Sequence, residues 1–316
     1  PAPAAKGPLA AKSVQLECKD NEVHQVLFSS PDAGLAAVVN KVGKVYRLDR
    51  YDLLSGKPVG GIELAQMQNV QELVAVSPDG NRVAHGDNKD RLDVLSASDG
   101  KSVAAWRPYD EKKGADGKLF WAVFLDSDRI LTANQAGRVD LWKLPQSQPA
   151  WTIDKASQSS FVNYRHQLGL ALSPGRRFLA AFNGQGFDLL DPATGETRGR
   201  TATIKELGKT SAAKAVAFSP DGKELAAVVE SIGMQGSVLA RWDMSTGAVV
   251  DQFRIPIAAN LSLQMRPSIG QRERQWGGMQ GVHVTSLAWW GPRHVLLSNE
   301  HLLDLEHKWF VWHFKL

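Results

Sequence analysis

The chain has 316 residues, of which 43% are hydrophobic and 22% charged, a globular composition. A formal net charge of +4 is small for this length, and without basic residues clustered on one face it predicts no specific nucleic-acid binding. One cysteine, Cys18, excludes an internal disulfide framework and a cysteine-based zinc site, and no run reaches the ~18 apolar residues of a bilayer span, so a soluble chain without membrane insertion is expected.

Residues 1–12, PAPAAKGPLAAK, are rich in Pro and Ala and read as a linker or the scar of processing. Ser13–Cys18, SVQLEC, follows as a strand-like segment. A repeat then begins. Val26–Val39, VLFSSPDAGLAAVV, is a loose first copy and Leu73–His85, LVAVSPDGNRVAH, a clear second; Ala122–Ala133, AVFLDSDRILTA, is degenerate. Gly169–Phe182, GLALSPGRRFLAAF, and Ala215–Val229, AVAFSPDGKELAAVV, restore the pattern, and Ser286–Ser298, SLAWWGPRHVLLS, degrades it again.

Each copy places two short apolar runs around a turn of Ser, Pro, Asp and Gly, which predicts a β-hairpin. Pro presets the first corner, Asp bonds back to nearby amides, and Gly takes the left-handed conformation that closes the turn. Continuous apolar runs, in place of strict alternation, predict strands buried on both faces. Third strands are expected at Val45–Asp49, Arg91–Leu95, Arg138–Lys143, Gly186–Asp191, Val238–Asp243 and Trp309–Phe314. The turns Leu54–Lys57, Ser98–Lys101, Ala193–Glu196 and Ser245–Ala248 lead on to polar fourth strands such as Pro58–Leu64 and Ala248–Ile255, which suit an outer edge half open to water.

The hairpin marks Pro31, Pro78, Ser127, Pro174, Pro220 and Pro292 are separated by 47, 49, 47, 46 and 72 residues, the period of a propeller. The long last interval predicts an insertion at about 257–282. The expected fold is all-β, a β-propeller of six four-stranded antiparallel blades forming a single domain over 13–316. Ser13–Cys18 is expected to supply the outer strand of the last blade and so close the ring.

FSPDGKELA (Phe218–Ala226) and ARWDMSTG (Ala240–Gly247) resemble the hairpin and the tryptophan-aspartate pair of WD-repeat propellers, particularly bacterial ones, over 14–316. Only Trp242-Asp243 is a full pair; Leu141-Trp142-Lys143 and Val311-Trp312-His313 keep the aromatic, Leu48-Asp49 and Leu190-Asp191 the acid. The Gly-His pair of that family is missing throughout, so its internal hydrogen-bond network does not carry over. The resemblance implies a platform for protein assembly.

The residues leading into the innermost strands, among them His24, Asn69, Lys214 and His283, line the expected channel and include no acid. That excludes a calcium cage and a two-carboxylate glycosidase there, and neither repeated Asp-box turns nor a nucleophile elbow occurs. No catalytic residue, cofactor or metal site is expected. His301, His307 and His313 recur every six residues, about 20 Å apart in an extended strand and too far to share an ion. Trp142, Trp242 and Trp312 fall at matching third-strand positions and read as core, whereas Trp276 lies outside the repeat.

Arg266, Arg272, Arg274 and Trp276, in RPSIGQRERQWGGMQG, make the insertion the expected partner-binding loop, because Arg with Trp is an interface composition. The expected function is a monomeric, non-catalytic protein-interaction scaffold, with cytoplasmic placement favoured over export or tethering. The alternatives are a channel that binds a small ligand or polysaccharide through His24, Asn69, Lys214 and His283, a cryptic hydrolase, and anionic-polymer binding by the Arg-rich loop.

Overall fold

The computed structural model describes residues 16, 22–28, 34–64, 74–86, 90–110, 117–146, 148–156, 169–204, 211–231, 237–255, 284 and 286–313. Among them twenty-four strands form six four-stranded sheets, each strand bonded to its neighbour in sequence. Sheet 1 holds β1 (Glu22–Phe28), β2 (Leu35–Val42), β3 (Val45–Asp52) and β4 (Pro58–Leu64). Sheet 2 holds β5 (Val74–Val76), β6 (Arg82–Gly86), β7 (Leu92–Ser96) and β8 (Ser102–Trp106), and sheet 3 β9 (Leu119–Phe124), β10 (Arg129–Asn134), β11 (Val139–Lys143) and β12 (Pro149–Ile153). Sheet 4 holds β13 (Leu170–Leu172), β14 (Leu179–Phe182), β15 (Phe187–Leu190) and β16 (Thr197–Arg200). Sheet 5 holds β17 (Ser211–Phe218), β18 (Glu224–Ser231), β19 (Val238–Asp243) and β20 (Val249–Arg254), and sheet 6 β21 (Leu287–Trp290), β22 (His294–Leu297), β23 (His301–Asp304) and β24 (Trp309–His313). No helix among the described residues is long and apolar enough to cross a membrane.

In three of the hairpin turns a serine is the hub. Buried Ser77 Oγ donates to Asp79 and accepts from Arg82 N at 2.8 Å; buried Ser219 donates to Asp221 at 2.7 Å and accepts from Glu224 N at 2.9 Å. Ser173 accepts from the amides of Arg177 and Phe178 at 3.0 Å in a turn that has Arg176, at φ +53°, where the other two have glycine. One hydroxyl thus satisfies donors that the turn would otherwise leave buried and unpaired. Beyond it the second strands are buried on both faces, as β14 and the interior of β2 and β10 are, while the fourth strands β12, β16 and β20 are half-exposed.

In four sheets the turn between third and fourth strands is closed by an aspartate at, or one residue past, the end of the third. Asp52 Oδ1 accepts from the amides of Leu54 and Ser55, Asp191 from Ala193, Asp243 from Ser245 and Thr246, and Asp304 from Glu306 and His307. Four residues on, Gly56, Gly195 and Gly247 take positive φ, and Lys308 does so at +60° in sheet 6. The acid of the expected tryptophan-aspartate pair is therefore a turn cap. In sheet 1 that position belongs to Asp52, not Asp49, which lies within β3 and accepts from Asn40 and Arg47.

The chain divides into two compact units. One runs to Pro108 and takes in Ala122–Ile130 and Lys143–Ser147; the other comprises Tyr109–Trp121, Leu131–Trp142 and the chain from Gln148 on. In the first, Ala37, Val39, Leu48 and Ile62 of sheet 1 pack on Val74 and Val83 of sheet 2. Gly100, in the turn before β8, lies against Ile62 of β4. In the second, Phe187 and Leu189 of sheet 4 meet Leu225, Ala227 and Trp242 of sheet 5, whose other face, with Ala226, Val228 and Leu239, meets Leu287, Val295 and Leu303 of sheet 6. The same turn contact recurs there. Gly195 lies against Trp151 of β12, Gly247 against Arg200 of β16 with Ala202 N donating to its carbonyl at 2.7 Å, and Lys308 Nζ reaches Asp251 of β20 at 2.9 Å.

The order of the last strands differs from the expectation. Trp309–Phe314 was expected as the last third strand, but His301–Asp304 holds that place and Trp309–His313 is the fourth, so residues 287–313 complete sheet 6 by themselves. The expected strand at Ser13–Cys18 lies outside the described residues, apart from Leu16, which is in no strand. The histidine spacing also folds back on itself: a turn intervenes, His301 and His313 are register partners, and His307 sits in the turn between them.

Candidate functional site

The expected partner-binding residues Arg266, Arg272, Arg274 and Trp276 lie outside the described residues, as do Asn69 and His283 and the insertion at 257–282. His24 falls at the bulge where β1 slips register against β2. Lys214 is the extra residue of the corresponding bulge in β17, between Ala213 and Ala215. A bulge re-aims its side chain, and Lys214 is aimed at Glu230, 3.2 Å away, which also accepts from Ser237 at 2.9 Å. Its ammonium is held by a carboxylate on the neighbouring strand.

The described residues instead bring together a group on sheet 6 that the sequence reading dispersed. Cross-strand pairing sets Trp290 opposite His294, His294 opposite Asp304, and Asp304 opposite Trp309, so four side chains form one row on one face. A second row on the same face runs from Ala288 through Leu296 and Leu302 to Trp312. Trp290, Trp309 and Trp312 are 57%, 58% and 62% exposed, whereas Leu287, Val295, Leu297 and Leu303 on the opposite face are buried against sheet 5. Trp312 is thus no core residue, a correction that follows from the strand assignment. By contrast Trp142 and Trp242 are buried, with Nε1 donating at 2.8 Å to Thr132 and to the Ala202 carbonyl.

Buried Asp304 centres the first row. Arg293 donates to its Oδ2 from Nε at 3.1 Å and Nη2 at 2.9 Å, while His307 Nδ1 lies 3.2 Å from that oxygen and His294 Nε2 3.6 Å. Burial alone would raise the carboxyl pKa, but the Arg293 bonds and those from the amides and ring of His307 and the amide of Glu306 outweigh it and hold Asp304 well below the usual carboxylate range. The His307 ring stacks on Trp309 with centroids 5.3 Å apart and planes 15° from parallel. The ion-paired centre thus carries a ring that holds Trp309 by stacking. Among the described residues no group of three or more His, Cys, Asp or Glu side chains is arranged to hold a metal ion.

No protein-family model matches the chain, and no curated protein is similar to it. The site therefore rests on its geometry. The sequence did carry a sign of it: Asp304-Leu-Glu-His-Lys has the spacing of Asp52-Leu-Leu-Ser-Gly and Asp243-Met-Ser-Thr-Gly. Aligned on that acid and not on Trp312, it places β24 as the fourth strand.

Proposed function

We propose that the chain is a non-catalytic protein-interaction scaffold built on a WD-repeat-like β-propeller of six blades. Six successive four-stranded sheets support the propeller, together with the placement of four third-to-fourth-strand turns, those of sheets 2, 4, 5 and 6, on the outer strand of the sheet before. The observation that carries the scaffold reading is the face with Trp290, Trp309 and Trp312, three large aromatics on one side of a sheet whose other side is core. Exposed tryptophan is the residue most enriched among interface hot spots, and a contiguous aromatic face on a soluble chain marks a docking surface. Among the described residues β24 is an edge strand, and such an edge can offer main-chain donors and acceptors for strand addition.

The test is recovery of bound proteins from the native host by wild type and by a Trp309→Ala/Trp312→Ala variant. Loss of a specific partner from the variant, with an unchanged circular dichroism spectrum, is the expected result. Partners retained in full would remove this face from the account. Thermal stabilisation of the isolated chain by sugars, nucleotides or divalent metals would favour the channel-ligand reading instead.

A further inference from the structure

We infer that His307 is a protonation-driven latch that exchanges Arg293 for Asp304 as its hydrogen-bond partner and reports the exchange to Trp309. Its Nδ1 lies 2.6 Å from Arg293 Nη2 and 3.2 Å from Asp304 Oδ2. Guanidinium can only donate and an ionised carboxylate can only accept, so one ring nitrogen cannot satisfy both at once. With the imidazole neutral and its proton on Nε2, Nδ1 accepts from Arg293. With the ring protonated, Nδ1–H donates to Asp304, and the imidazolium stands against a guanidinium that can no longer bond to it. Arg293 then keeps Asp304 through Nε, at 3.1 Å, and Glu306 through Nη1, at 3.0 Å. No covalent bond changes; one proton is taken from solvent.

Every charged neighbour bears on this exchange. From β22, His294 Nε2 approaches the same Asp304 oxygen at 3.6 Å, so a second imidazole faces the single buried carboxylate. Lys308, next in the turn, is tied to Asp251 of β20 at 2.9 Å. The stacked ring of Trp309 receives the new charge over its π face, a cation–π contact that alters the indole environment. Histidine is the side chain whose ordinary pKa lies between about pH 5 and 8, and that is the range a test must span. It stands apart from the scaffold reading, because it is a property of the free chain.

The test is an NMR titration of the whole chain from about pH 8 to 5, following the His307 ring, the Arg293 Nε–H and the Trp309 indole N–H, the last assigned with Trp309→Phe. The Arg293 and Trp309 resonances should move with the His307 midpoint, lose that movement in His307→Gln and keep it in His294→Gln. Stationary Arg293 and Trp309 resonances through the His307 titration, or movement that survives His307→Gln, would overturn the latch. Arg293→Lys covers the case in which His307→Gln does not fold. Shortening the donor should move the His307 midpoint to higher pH, because the neutral ring loses its partner, and an unmoved midpoint counts against the proposal.

Discussion

Asp79 accepts hydrogen bonds from Ser77 and Asn81 of its own turn and, at 2.6 Å, from Ser127 of the turn that opens β10. Its partial desolvation would raise the pKa, yet the bonds from Ser127, Ser77 and Asn81 prevail and leave it at about 2. A carboxylate depressed in the folded state contributes stability above its unfolded value, near 4, and loses it as pH falls through the folded one. Ser127→Ala should therefore be less stable than wild type at neutral pH, and the gap should close between about pH 4 and pH 2. Urea midpoints across that range check it. Trp242 allows a second test at this scale, being fully buried with its Nε1 bonded to the Ala202 carbonyl. Trp242→Ala should cost about 3–5 kcal/mol, and Trp242→Phe about 1–3 kcal/mol through the orphaned carbonyl, both read from denaturant unfolding. Trp242 was legible as core because a recognisable turn follows it; Ser127 was legible only as a spacing mark, since a hydrogen bond to another turn leaves no local pattern.

At the scale of elements, two glycines with nearly the same backbone separate conformation from packing. Gly43, at φ +63° in the β2–β3 turn, has open space where a Cβ would go, whereas a Cβ on Gly247, at φ +70°, would stand 2.9 Å from the Arg200 carbonyl oxygen. Gly43→Ala should cost about 1 kcal/mol for the left-handed conformation alone. Gly247→Ala should cost at least about 2 kcal/mol, because β16 must also shift; equal midpoint losses for the two would show that the sheet-to-sheet contact is slack. Hairpin turns and half-open outer strands were readable because Ser, Pro, Asp and Gly act within a few residues of themselves. Sheet 6 was misread for a related reason. Lys308 fills its glycine position, which leaves Trp312 as the more conspicuous mark and shifts the expected strand order by one.

For the whole molecule, the six-blade proposal predicts one compact particle. A chain of 316 residues packed that way has a radius of gyration of about 20 Å. Small-angle scattering giving a markedly larger value, or two separable masses, would argue for units that do not complete a ring. The number of sheets followed from a period near 47 residues, which the strands reproduce. The exposed tryptophan face of sheet 6 did not, since exposure depends on how strands from distant parts of the chain pair and pack, and the segments expected to bind partners lie outside the described residues.

The turn cap has a last consequence. Because one polypeptide carries the same unit six times over, its copies can be compared with one another as cousins would be, without any outside relative. Asp52, Asp191, Asp243 and Asp304 share the capping carboxylate, while Ser96 and Lys143 stand at the same place without one. A position that departs from its counterparts while its turn survives has been released from folding duty, or recruited to another. His307, standing where the siblings have Ser55, Thr194 and Thr246, is such a place.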